Sequence, residues 1–143
     1  MVLTGGAGLY GRGLAAQIAA AGATLVLASR NLDALKRIAA EECAKGRDVH
    51  ARQFDRGEEE SILARRDGVV RDFGRIDGLV NNAVARPMKS PEAPAAAWAA
   101  SMRTNATALF VMTRAFGDAM ADRKTVSDRA STGSGEESKQ VEW

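Results

Sequence analysis

A glycine-rich turn between a short apolar run and a helix-like segment constrains this chain more than any other feature. Residues 6–11 read GAGLYG and match the pattern GxGxxG. A strand that leads through such a turn into a helix aims backbone N–H groups at a phosphate, and no bulky side chain blocks the approach. We therefore predict that this turn binds a nucleotide, through Thr4, Gly5, Gly6, Gly8, Leu9, Tyr10 and Gly11.

Segments with strand and helix character alternate along the chain. Apolar runs predict strands at residues 1–4, 24–28 and 76–80, and the mixed segment 48–54 is interpreted as a further strand. Amphipathic or Ala-rich segments predict helices at 11–21, from 32, at 58–73 and at 95–121. Such alternation predicts an α/β fold, in which a doubly wound, Rossmann-like parallel sheet carries helices on both faces. The first strand is short, since strands usually have about five or six residues.

The last predicted helix, residues 95–121, carries one polar residue on its apolar stripe. The stripe consists of Trp98, Met102, Asn105, Leu109, Met112, Phe116 and Met120. A buried amide costs free energy unless it is hydrogen-bonded, so Asn105 needs partners.

Composition excludes several classes of function. At 143 residues with a formal charge of +2, the chain is at most one domain and lacks the strong positive charge of a nucleic-acid-binding protein. It has no apolar run long enough to cross a bilayer. The single histidine has no ligand partners nearby, so no metal site is predicted. One cysteine cannot form an internal disulfide, which fits a reducing cytoplasm.

The pattern of strands and helices stops near residue 124. From residue 125 the chain is rich in Ser, Gly and charge, with neither a helix nor a strand period. We therefore predict a partial nucleotide-binding domain at residues 1–124 and a disordered polar tail at 125–143.

Two motifs together resemble the short-chain dehydrogenase/reductase family. Thr4, Gly5 and Gly11 match the TGxxxGxG fingerprint of that family, although Leu9 replaces its middle glycine and Gly8 stands one residue earlier. Asn81, Asn82 and Ala83 resemble the family's NNAG motif, with Val84 in place of its glycine. The resemblance implies a dinucleotide cofactor and the strand order 3-2-1-4. Asn side chains can hold the second motif against neighbouring backbone beside the cofactor.

The end of the second strand predicts which nucleotide is bound. An NAD site usually carries an acid there, bonded to the ribose 2′-hydroxyl. This chain has Ser29, Arg30 and Asn31 instead, and the Arg can neutralise a 2′-phosphate. We therefore predict NADP rather than NAD as the cofactor. By the same resemblance, Asp55 hydrogen-bonds the adenine amino group.

The resemblance also identifies a candidate catalytic residue, and it shows that the catalytic Tyr and Lys of the family have no match in this sequence. Asn105 lies in a segment similar to the one that carries the family's catalytic Asn, which helps to hold a water in a proton relay. The family's proton donor belongs to a YxxxK motif, whereas the only Tyr here is Tyr10, followed four residues later by Leu14. We therefore expect a truncated or frame-shifted form of a carbonyl or alcohol oxidoreductase, inactive alone.

Two alternatives remain open at this point. One is a non-catalytic nucleotide-binding module. The other is a Rossmann-like methyltransferase, against which the missing acid after the second strand and the VNNA motif both argue. The resemblance further implies a small-molecule substrate, no nucleic-acid or membrane partner, and self-association through the 95–121 helix, whose apolar stripe lacks a following partner helix.

Overall fold

One parallel sheet organises the fold. The computed structural model describes the backbone of residues 1–132 and the side chains of residues 1–122. Its strands are β1 (Val2–Thr4), β2 (Leu25–Ser29), β3 (Val49–Gln53) and β4 (Leu79–Val80). They pair in parallel in the order β3-β2-β1-β4, which confirms the predicted incomplete, doubly wound sheet.

Helices cover the sheet on both faces because side chains alternate along each strand. The helices are α1 (Leu9–Ala20), α2 (Leu32–Cys43), α3 (Glu59–Phe73), α4 (Ala95–Met102) and α5 (Ala108–Thr132). On one face, Val2 and Val26 are buried with side chains of α3 and α5. On the other face, Leu3 and Leu27 are buried with side chains of α1 and α2. Asn31 caps α2 as predicted, since its Oδ1 accepts from Ala34 N at 3.0 Å.

The fourth strand is shorter than the sequence predicts. Residues 76–80 form an apolar run, but only Leu79–Val80 pairs as a strand, opposite Val2 and Leu3 of β1. Before it, Val2 N donates to Gly78 O at 2.9 Å, and Ile76 is buried in the core. β1 begins at Val2, which lies opposite Leu79, so residues 76–78 have no β1 residue opposite them and form an irregular segment.

The predicted helix at residues 95–121 is not continuous. A π-helical turn (Arg103–Thr107) separates α4 from α5. Because a π turn adds a residue to the helix, it changes which side chains face the core. After the turn, Ala108, Met112 and Phe116 are buried, whereas Leu109 of the predicted stripe is 39% exposed.

The chain also stays helical further than predicted. Helix α5 runs to Thr132, so the first part of the segment predicted to be disordered is helical. The remainder of that segment, residues 133–143, lies outside the described residues. In the described part of the chain, no helix combines the length and the apolar character that a membrane span requires.

The close approach of α1 to the glycine turn gives a first prediction. A Cβ built on Gly11 would lie 2.1 Å from Gly5 O, whereas one on Gly13 would meet nothing within 4 Å. Gly11→Ala should therefore destabilise the fold by about 3 kcal/mol or more. Gly13→Ala, the matched control in the same helix, should stabilise it by up to about 1 kcal/mol. Urea denaturation at neutral pH measures both, and equal effects of the two changes would contradict the packing described here.

Candidate cofactor-binding site

An open cavity of about 500 Å³ lies at the carboxyl ends of the strands. Its size suits a small-molecule or cofactor ligand, and ligands of doubly wound sheets bind at this edge. Many of the predicted site residues line it: Gly5, Gly8, Leu9, Tyr10, Ser29, Arg30, Asp55, Asn82 and Ala83. The others, which do not line the cavity, are Thr4, Gly6, Gly11, Asn31, Asn81 and Asn105.

The glycine turn packs directly against the NNA motif. Gly5 has a φ of +66°, a conformation that side chains disfavour. A Cβ on Gly5 would lie 2.7 Å from Ala83 Cα. The turn therefore needs glycine at this position both for its backbone conformation and for its contact with the neighbouring motif.

The amino end of α1 borders the cavity with free backbone donors. Gly8 is the N-cap residue, and no described side chain caps the helix. The first N–H groups of an α-helix have no acceptor within the helix, and together with the helix dipole they favour an anion. Leu9 and Tyr10 are exposed, at 89% and 73%, so their side chains leave this end of the helix open.

Thr4 and Asn82 join the two motifs through a dense hydrogen-bond network. The Thr4 hydroxyl donates to Val80 O at 3.3 Å and accepts from the backbone N–H groups of Asn82 (3.1 Å) and Ala83 (3.2 Å). The Asn82 side chain donates to Thr4 O and Gly5 O, both at 3.2 Å. These contacts hold the NNA turn beside the glycine turn, which is the role that the sequence suggested for the Asn side chains. Asn81 instead donates to Thr113 Oγ1 of α5 at 3.4 Å.

The residues at the end of β2 have two different roles: Asn31 caps a helix, and Arg30 carries a positive charge into the cavity. Asn31 uses its side chain to cap α2, and Ser29 Oγ lies 3.5 Å from Asn31 O. Arg30 lines the cavity with an exposed side chain. Within residues 1–122, no carboxylate forms an ion pair with Arg30. Its guanidinium is therefore available to an anionic ligand.

Beyond β3, the aspartate Asp55 is followed directly by a buried arginine, Arg56. Asp55 lines the cavity while its Oδ1 accepts from Gly57 N at 2.9 Å, so the carboxylate also closes a turn. Arg56 is only 8% exposed, and its Nη2 donates to Asn105 Oδ1 at 3.1 Å. Burial, together with the positive charge of Arg30, lowers the pKa of Arg56 from its ordinary value. An anion in the cavity would offset both effects.

Asn105 lies in the π turn, where its amide is fully used by hydrogen bonds. Its Oδ1 accepts from Arg56 and from Ala85 N (2.9 Å). Its Nδ2 donates to Ala85 O at 2.7 Å and to Ser101 Oγ at 3.2 Å. The half-buried Asn105 amide is thus satisfied by three partners: Ala85 in the loop after the NNA motif, Ser101 one helical turn earlier, and the buried Arg56.

Sequence reasoning missed several residues of the cavity wall. Arg56, Arg86, Lys89 and Thr104 all line it. Arg56 directly follows the candidate adenine-binding Asp55, and that adjacency was the available signal. The other three lie in an irregular loop and in the π turn, where no periodicity predicts which way a side chain points.

The residues present fit a dinucleotide. The uncapped helix end suits a pyrophosphate, and the glycine cradle leaves no Cβ in its way. Arg30 and the buried Arg56 supply positive charge in the wall of the same cavity. Among residues 1–122, no cluster of His, Cys, Asp or Glu side chains could hold a metal ion.

The chain is similar to several known dehydrogenases and oxidoreductases. The chain is 33% identical over 122 residues to D-threitol dehydrogenase of Mycolicibacterium smegmatis, with 83% of this chain and 46% of that protein covered. A metagenomic short-chain oxidoreductase solved in complex with NADP is 31% identical with a TM-score of 0.81, over 86% of this chain and 57% of that one. An NAD⁺-bound xylitol dehydrogenase is 31% identical with a TM-score of 0.80, and the match covers 85% of this chain and 48% of that one.

The chain thus spans about half the length of these relatives. The short-chain dehydrogenase family model matches residues 1–127, which include the glycine turn, the NNA motif and Asn105. This match and the shared sheet identify the chain as a member of the short-chain dehydrogenase/reductase family of oxidoreductases, whose cofactor-binding half it contains.

Proposed function

We propose that this chain binds NADP(H) and serves, in the cytoplasm, as the cofactor-binding half of an oxidoreductase acting on a carbonyl or alcohol. The observation that supports it best is the cavity at the carboxyl edge, where an uncapped helix end and several cationic side chains, Arg30 and Arg56 among them, line the same space. When bound, the nicotinamide supplies the hydride chemistry. The residues of this chain bind and orient the dinucleotide.

Each end of the cavity has its own task in this proposal. Backbone N–H groups at the start of α1 bind the pyrophosphate, and Arg30 binds the 2′-phosphate. Asp55 accepts a hydrogen bond from the adenine amino group. Asn105 positions the loop at Ala85, beside the cavity, through two hydrogen bonds to its backbone. We propose the family's water-holding role for the backbone of Asn105, since its side-chain amide is already fully hydrogen-bonded.

The preference for NADPH is the most direct test of the cofactor. A charge-assisted hydrogen bond contributes roughly 1.5–3 kcal/mol. Arg30→Ala should therefore weaken NADPH binding about tenfold or more and leave NADH binding nearly unchanged. Calorimetric titration of both cofactors measures this. Equal losses for the two would show that Arg30 does not bind the 2′-phosphate.

Catalysis requires a proton donor that we do not find in this sequence. The only Tyr is Tyr10, and no Tyr stands four residues before a Lys. General acid chemistry needs such a group within reach of the substrate. The second candidate function that we retain is a non-catalytic nucleotide-binding module.

The 143-residue chain should accordingly show no steady oxidation of NADPH with a panel of ketones and aldehydes. Absorbance at 340 nm follows the reaction, with a complete member of the family as the positive control. Sustained turnover that Asn105→Ala abolishes would mean that another residue of this chain supplies the proton.

We also propose that the 95–121 segment associates with a second copy of the chain. Its large apolar side chains Trp98, Met102, Leu109 and Phe110 are 56%, 43%, 39% and 65% exposed. Exposed apolar groups of this size commonly mark interaction surfaces.

Replacing both Trp98 and Phe110 by Ser should shift the chain toward the monomer in sedimentation velocity. Val70→Ser is the control, because Val70 is an exposed apolar residue of α3, at 38%. A wild-type chain that stays monomeric at high micromolar concentration would exclude this surface as a self-association site.

A further inference from the structure

Arg56 is a buried cation with no described counter-charge. Its single hydrogen bond within residues 1–122 goes to Asn105 Oδ1, a neutral acceptor, at 3.1 Å. No carboxylate in that part of the chain lies within ion-pair distance of its guanidinium. Burial of an unpaired charge costs free energy. The wall of the cavity therefore contains a positive charge that the described residues do not neutralise.

Arg30 places a second positive charge near the first. β2 and β3 are adjacent, with Ser29 opposite Gln53, so Arg30 and Arg56 follow neighbouring strand ends. Both line the cavity, and the charge of Arg30 contributes to the lowered pKa of Arg56. Asp55, the acid of this wall, accepts from Gly57 N and forms an ion pair with neither arginine.

The position of the two arginines distinguishes their ligand group from the pyrophosphate. The uncapped end of α1 follows β1, and the arginines follow β2 and β3 on one side of it. A dinucleotide whose pyrophosphate lies at α1 extends its adenosine toward β2 and β3. An anion between Arg30 and Arg56 therefore belongs to the adenosine half of the ligand.

We propose that Arg56 is a second specificity-determining residue, which acts with Arg30 to favour an adenine nucleotide carrying a 2′-phosphate over one with a free 2′-hydroxyl. This inference rests on the proposed function. A phosphate monoester brings about −1.5 to −2 charges at pH 7, whereas a hydroxyl brings none. The hydrogen bond to Asn105 holds the guanidinium in place, so a bound phosphate meets a charge that is already oriented.

Two small probes isolate this contribution. 2′,5′-ADP and 5′-AMP differ only in the 2′-phosphate, and calorimetry gives the ratio of their affinities for the full chain. Arg56→Gln should lower that ratio about tenfold and leave 5′-AMP affinity within about twofold. Arg56→Lys keeps the charge but loses the planar fork, so it should lower the ratio about threefold. Arg66→Gln, a change at a partly buried arginine that pairs with Asp67 outside the cavity, should leave the ratio unchanged.

Several outcomes would overturn the assignment. Circular dichroism shows which Arg56 variants fold. If the ratio of 2′,5′-ADP to 5′-AMP affinity is unchanged in those variants, Arg56 does not contact the 2′-phosphate. Equal losses for both probes would assign Arg56 to the adenine or to the fold. Inorganic phosphate that binds as tightly as 2′,5′-ADP would reveal a free-phosphate site. If the wild-type chain binds both nucleotides equally, the NADP(H) proposal fails as well; if it discriminates and the Arg56 variants do too, only this inference fails.

Discussion

The hydrogen bonds between Thr4 and Asn82 are the interaction on which the rest of the site depends. Strands β1 and β4 pair over only two residue positions, Val2 with Leu79 and Leu3 with Val80. Beyond them, the fully buried Thr4 hydroxyl uses its one donor and both acceptor positions on the segment from Val80 to Ala83. A side-chain network thus replaces the strand pairing that a longer β4 would supply.

That network also explains why the two motifs occur together. Once the NNA turn is held at Thr4, Ala83 lies against Gly5, where there is no room for a Cβ. Gly5 O in turn lies where a side chain on Gly11 would stand. The amino end of α1 is therefore fixed relative to the NNA turn, and the cavity between them is formed before any ligand arrives. A preformed site avoids much of the ordering cost of binding.

The parts of the structure that follow from local sequence were predictable. The alternation of strand-like and helical segments predicted a parallel sheet with helices on both faces, and the Asn31 cap was predictable from its residue type alone. The order of the strands came from the family resemblance and not from the pattern. The π turn was not predictable, because the residues RTNAT fit an α-helix equally well. The buried position of Arg56 was not predictable either, since an arginine after a strand is usually solvated. Both depend on tertiary contacts, and they meet at the hydrogen bond from Arg56 to Asn105.

Hydrogen exchange of the full chain with and without NADPH tests the central claim most directly, namely that the carboxyl edge of the sheet is a preformed dinucleotide site. The account predicts slower exchange at the start of α1, after β2 and β3, and through residues 81–86, with little change at the opposite edge of the sheet. The account would be contradicted if NADPH did not slow exchange at all, or slowed it at the amino ends of the strands instead.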